Sequence, residues 1–357
     1  MRARVFALSV VALSLGLVGA AASQASAHTP SPAPSTAGSM PGMDHVMPGM
    51  DMAGMDHVMP GMDMAGMDHA APASGAAVKQ DRSAAIARAR LKPLFLQARL
   101  DGRQEVPVAG KPPVGDPDGS ATALVKIQGD RVTFAFTWKG ITAPTLGHIH
   151  AGGPGVNGEV KVALFATPMP DTATAAAGAI TVSDPATADA IRANPAAFYL
   201  NLHTTAFPGG AVRGQLTKLN RPADLLGLLH GGTAKAFLSG DNEVPVAGGP
   251  AVGDPTARAV AHLQPHGNQV DYSFAWIGLN PTLGHIHKAP AGINGPVVVP
   301  LFTQPVPATI FAISGTTTGL DPTLVTDLKT HPTNFYANLH TTAFPGGAIR
   351  GQLFTRH

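Results

Sequence analysis

The sequence predicts an all-β protein: two tandem Greek-key β-sandwich or barrel domains, each with one short helix, behind a disordered N-terminal tail. Three observations carry this reading. The chain repeats itself at an interval of 137 residues: Leu146-Gly147-His148-Ile149-His150 returns as Leu283-Gly284-His285-Ile286-His287, and the run from Asn201 to Leu216 returns from Asn338 to Leu353 with one change, Ile349 for Val212. Two copies of one domain are therefore present. Each copy is a series of short segments with period-two alternation, separated by Gly, Pro, Asn and Asp turns. A content of 41 Gly and 33 Pro with only 13% charged residues suits a β-rich fold full of tight turns, plus one low-complexity stretch.

Along the chain, residues 1–27 carry a charged start (Arg2, Arg4), an apolar run from Val5 to about Ala22 and the small-residue pattern Ala25-Ser26-Ala27. This is the layout of a secretory signal peptide and predicts a secreted or cell-envelope location. Residues 28–75 form the tail: a Pro/Ser/Thr linker, then Met43-Asp44-His45-Val46-Met47-Pro48-Gly49-Met50-Asp51-Met52-Ala53-Gly54, repeated from Met55 and broken off after Met67-Asp68-His69. Residues 76–92 read as a linker with helix propensity. The first domain is placed at 93–219, with strands over Leu94–Leu100, Ala121–Ile127, Arg131–Trp138, Leu146–His150, Glu159–Phe165, Ala197–His203 and Ala211–Thr217. Asp184-Pro185 opens a short helix running to about Asn194. After a linker at 220–232, the second domain at 233–357 repeats the pattern. Its strands are Phe237–Ser239, Ala257–Leu263, Val270–Trp276, Leu283–His287, Val297–Phe302, Asn334–His340 and Ala348–Thr355, with a helix from Asp321-Pro322 to Lys329.

Composition excludes several classes of function. There is no cysteine, so thiol catalysis, thiolate metal sites and disulfide staples are ruled out. The net charge of +2 comes from scattered residues without a basic stripe interleaved with aromatics, so nucleic acid is not an expected partner. No segment after the signal peptide reads as a membrane span. Hydrolase elbows, His-Glu-x-x-His helices and phosphate-binding glycine loops are likewise missing.

The chemistry lies in histidines. Residues two apart on a strand share a face, so His148 and His150 project together, as do His285 and His287. Fifty-five residues further on, His203 and His340 sit on the Tyr/Asn face of their strands, with Tyr199 and Asn201 or Tyr336 and Asn338. Neighbouring strands would bring His148, His150 and His203 to one ion, and likewise His285, His287 and His340. Three imidazoles suit copper, with zinc as the alternative. Asn201 and Asn338 are candidates to bond a ligand imidazole. Arg213 and Arg350 are candidates to guide an anion, or to form a salt bridge or a backbone clamp on the Phe-Pro-Gly-Gly turn beside them. Strand histidines can also be purely structural, bonding main-chain carbonyls near a loop. In the tail, His45, Met47, Met50, Met52, Met55, His57, Met59, Met62, Met64, Met67 and His69 offer soft thioethers and imidazoles, a donor set for copper in either oxidation state.

These residues, with Gln104-Glu105-Val106-Pro107, Asn242-Glu243-Val244-Pro245 and the stretches Ala151–Gly158 and Ala289–Gly295, resemble the chordin-type (CHRD) domain over nearly all of both repeats. The family implies an extracellular setting, since it occurs in chordin, an antagonist of growth factors, and in bacterial exported proteins. Glu105 and Glu243, each before Val-Pro, read as turn-stabilising groups. The order His148, His150, His203, Arg213 also resembles the copper site of copper/zinc superoxide dismutase. No histidine lies between His150 and His203, so that likeness implies a copper-only or zinc centre without a metal bridge. The tail is similar to the Met-Asp-His runs of bacterial copper-resistance proteins. Three functions follow as expectations: copper capture or buffering, a non-catalytic extracellular module that binds another protein, and a copper-dependent redox enzyme of dismutase type.

Overall fold

The computed structural model describes residues 82–229 and 231–355. The expected signal peptide at 1–27 and the Met/His/Asp tail at 28–75 fall outside the described residues. A short helix α1 (Arg82–Ala89) precedes the first repeat. That repeat contains β1 (Leu94–Asp101), β2 (Ser120–Gln128), β3 (Arg131–Lys139), β4 (Leu146–Ala151), β5 (Val160–Phe165), β6 (Ala173–Thr181), α2 (Pro185–Ala193), β7 (Phe198–His203), β8 (Val212–Gln215) and β9 (Thr217–Lys218). The second contains β10 (Ala234–Ser239), β11 (Arg258–His266), β12 (Gln269–Ile277), β13 (Leu283–Lys288), β14 (Val297–Phe302), β15 (Ile310–Thr317), α3 (Pro322–Thr330), β16 (Phe335–His340), β17 (Ile349–Gln352) and β18 (Phe354–Thr355).

Every ladder between named strands is antiparallel, as the short turn-bounded segments require. In each repeat one layer follows the order β1-β2-β3-β6, or β10-β11-β12-β15. The other follows β5-β4-β7-β8, or β14-β13-β16-β17. The layers meet along one edge, where Asp101 pairs with Arg213 and Ser239 with Arg350. Alternation sets the core: Ala121, Ala123, Val125 and Ile127 of β2 and Val132, Phe134, Phe136 and Trp138 of β3 are all buried. Removal of such side chains from water is the main term holding the sandwich together. The helices begin where the Asp-Pro signals place them: Asp184 accepts from Ala186 N at 3.0 Å and Asp321 from Thr323 N at 2.8 Å.

One strand per repeat was not expected from the sequence, and these two strands join the copies. β6 (Ala-Thr-Ala-Ala-Ala-Gly-Ala-Ile-Thr) pairs antiparallel with β15, centred on Ala176 opposite Ile313, so the two repeats share one sheet within one compact unit. Because 176 and 313 differ by the repeat interval of 137, equivalent positions face each other about a local two-fold axis. Ala175, Ala176 and Ala177 are buried on both faces, one by the core and the other by the connecting segment, whose Leu225, Leu228 and Leu229 pack over Ala135, Ala177 and Ala312. A strand covered on both sides has no polar face, so it shows no alternation. Thr172 Oγ1 adds a cross-repeat bond to Tyr272 OH at 2.8 Å and donates to Leu301 O at 2.7 Å.

Candidate metal centre

β4 and β7 are neighbours, and their register decides the site. His148 stands opposite Asn201 and His150 opposite Tyr199, while His203 ends β7 opposite Leu146. His148 and His203 are thus diagonal neighbours on one face, within reach of each other. The ring centroids of His148 lie 5.5 Å from His150 and 5.1 Å from His203. One nitrogen from each of the three rings lies within 4.8 Å of the other two, and His285, His287 and His340 on β13 and β16 form the same group. His148 Nδ1 and His203 Nε2 are 3.2 Å apart, close to the spacing of about 3.3 Å for two nitrogens held at 2.0–2.1 Å by a tetrahedral ion. Both triads can hold a metal ion.

Main-chain carbonyls set the rings' tautomers. His150 Nδ1–H donates to Gly158 O at 3.0 Å and His203 Nδ1–H to Pro208 O at 2.9 Å. In the second copy His287 donates to Gly295 O at 2.9 Å and His340 to Pro345 O at 3.0 Å. A carbonyl can only accept, so in the neutral ring Nδ1 carries the proton and Nε2 keeps its lone pair. The nitrogens left over are buried and unbonded: His150 Nε2 in the first copy, and His285 Nδ1, His287 Nε2 and His340 Nε2 in the second. A buried acceptor without a donor is costly, and a cation satisfies it. Burial, reinforced by the adjacent rings, lowers His148 and His285 to about 4. Burial also lowers His150, His203, His287 and His340, against the carbonyl bonds. The rings are therefore neutral at pH 7, the form that binds a metal.

The residues around the triads differ in role from what their order in the chain suggested. Arg213 and Arg350 are 1% exposed, buried away from solvent. Arg213 donates to Asn157 Oδ1 at 3.0 Å, Gly153 O at 3.0 Å and Val156 O at 2.7 Å, clamping the loop that presents Gly158. Its guanidinium lies 3.4 Å from the centre of the Tyr199 ring, and that ring stacks on His150 at 4.8 Å. Arg350, Tyr336 and His287 repeat the stack. The backbone that the arginines clamp is this loop and not the Phe-Pro-Gly-Gly turn expected from the sequence. Asn201 and Asn338 bond no ring. Asn201 Nδ2 donates to Glu105 Oε2 at 3.3 Å, and Asn338 Nδ2 to the Glu243 carboxyl at 3.0 and 3.2 Å.

Sequence reasoning undervalued two features. The Glu-Val-Pro segment braces both loops that hold the histidines: Val106 O accepts from Asn157 Nδ2 at 2.8 Å, and the Glu105 carboxyl lies buried beneath the Pro208–Gly210 turn. A side chain on Gly210 would come within 2.6 Å of Glu105 Oε1, and its φ of +134° is a backbone state suited to glycine. Burial pushes the Glu105 and Glu243 carboxyls up to about 7, against the attraction of Arg213 or Arg350 and the Asn bond. The second feature is Tyr199, whose only signal in the sequence was its place on the same face as His203.

No helix among the described residues is long and apolar enough to cross a membrane. No curated protein matches the chain. The CHRD domain family matches residues 96–216 and 234–353, which contain both triads, both Glu-Val-Pro segments and both arginine clamps, and the chain belongs to that family.

Proposed function

We propose that this chain is an exported CHRD protein that captures or buffers copper, with zinc as the alternative ion. In this reading the Met/His tail collects the metal from dilute solution and each repeat holds one ion on its three histidines. The carrying observation is the convergence of one nitrogen from each of three rings in both repeats, with Nε2 of His150, His287 and His340 buried and without a hydrogen-bond partner. Imidazole accepts Cu(II), Cu(I) and Zn(II), while the thioethers of the tail favour Cu(I). The test is calorimetric titration of the full chain with copper and with zinc, beside a variant carrying His148→Ala, His203→Ala, His285→Ala and His340→Ala. The variant should lose two ions per chain. Unchanged stoichiometry would end the proposal for the folded repeats.

A second reading, an extracellular protein-binding module with structural histidines, draws on the direct 3.2 Å contact between His148 Nδ1 and His203 Nε2, which ties two of the rings together without a metal. On that account the same variant loses stability and no metal.

A further inference from the structure

Four cations far apart in the sequence, two within the first repeat and two in the linkers on either side of it, meet in space. Lys92, Arg192, Lys218 and Arg221 line one cavity of about 650 Å³, with Phe95 and Pro222 among its apolar walls. Its size is that of a small-molecule site. No carboxylate lines it. Asp130 and Asp189 are bonded to Arg88, at 2.6 Å and 3.0 Å, and Asp224, three residues beyond Arg221, accepts from Leu226 N at 3.1 Å. No ion pair among the described residues involves any of the four lining cations.

Arg192 is fixed in place. It donates from Nη1 to Ile127 O and from Nη2 to Lys92 O, both at 2.9 Å, which leaves three of its five N–H donors. Lys92, Lys218 and Arg221 are exposed around it. The second repeat has Lys329 and Thr355 where the first has Arg192 and Lys218, so the full cluster belongs to one copy and is not part of the duplicated histidine machinery.

We propose that this cavity binds a small, multiply charged sulfate or phosphate ester. Four cations, none of them in a close ion pair among the described residues and one of them held in place, complement several oxyanion groups at once, and the Phe95 and Pro222 walls suit a sugar ring between them. The half-buried position of Arg192 in a concave lining without carboxylates strengthens its contact relative to the open surface.

The probe is sucrose octasulfate, which carries many sulfates on a sugar and does not depend on the metal sites. Calorimetry on the full chain at physiological ionic strength should show one site. Lys218→Gln with Arg221→Gln removes two exposed side chains that hold nothing else in place, and should weaken binding about tenfold or more. Lys111→Gln with Lys139→Gln makes the same change of net charge outside the cavity and should leave the affinity within about twofold. Absence of binding to the parent chain overturns the proposal, and so does an equal loss in both double variants, which would mean unspecific attraction to net charge. Sodium sulfate binding as tightly as the octasulfate overturns the requirement for several linked groups.

Discussion

Replacing Glu105 and Glu243 by Gln should make the protein more stable at pH 8 and leave it nearly unchanged at pH 4.5. Each carboxyl is buried, and each faces an Asn whose Oδ1 finds no donor while the Glu accepts from its Nδ2. A protonated carboxyl carries no charge to desolvate, and neither does the amide of Gln. The folded-state value of about 7 lies above the ordinary 4.5, so the folded chain keeps a proton that the unfolded chain releases between those two values. The stability this provides is complete below 4.5 and is lost as pH rises through 7. The gap corresponds to about 3 kcal/mol per carboxyl at pH 8. The lowered histidines act in the opposite sense, adding stability as pH rises towards 6.5, but parent and variant share them and they cancel in the difference. Urea unfolding of both proteins at pH 4.5, 6 and 8 measures that difference, with the slope against denaturant checked for constancy. A gap between parent and Gln variant that stays flat across the pH range, or a variant less stable than its parent at pH 8, would show that the folded protein holds these carboxyls as anions and refute the reasoning.

Other outcomes follow from the same contacts. Arg213→Lys removes the planar fork that holds Asn157, Gly153 and Val156 and the stack on Tyr199, and should cost about 2–4 kcal/mol. Faster amide exchange in the 152–158 loop would accompany the lowered midpoint, and unaltered exchange there would remove the clamp role. Gly147→Ala places a methyl group on Phe165 Cε1, against the edge of the ring, and should destabilise the first repeat by about 1–3 kcal/mol, read by thermal unfolding. Loss of two metal ions per chain in the four-histidine variant and loss of sulfate-ester binding in the Lys218/Arg221 variant complete the set.

Much of this fold was legible in the chain because alternation and turn chemistry are local. β2, β3, β4 and β7 stand where the period-two pattern puts them. Asp184-Pro185 and Asp321-Pro322 start helices because the carboxylate can cap and the proline can occupy the first turn only in that order. The faces of β7 were equally legible: Phe198, Leu200 and Leu202 go to the core, and Tyr199, Asn201 and His203 go to the other side, which the structure covers rather than exposes. β6, mostly alanine, and β15, with Ile310, Phe311 and Ile313, escaped because strands largely buried on both sides leave no clear periodic trace, and with them escaped the pairing that makes two repeats one sheet.

By itself, then, the sequence determined the duplication, the all-β class, the CHRD membership and the histidines that share a face, since each is written in spacing and residue type. Only the tertiary structure decided that β4 lies beside β7, so that residues 55 apart reach one point. It also decided that Arg213 spends its donors on a loop, that carbonyls of Gly158 and Pro208 orient the rings, and that Lys92, Arg192, Lys218 and Arg221 meet in a cavity. Those outcomes depend on strand order and on which main-chain groups remain to be satisfied, and such non-local constraints leave no mark on any single stretch of chain.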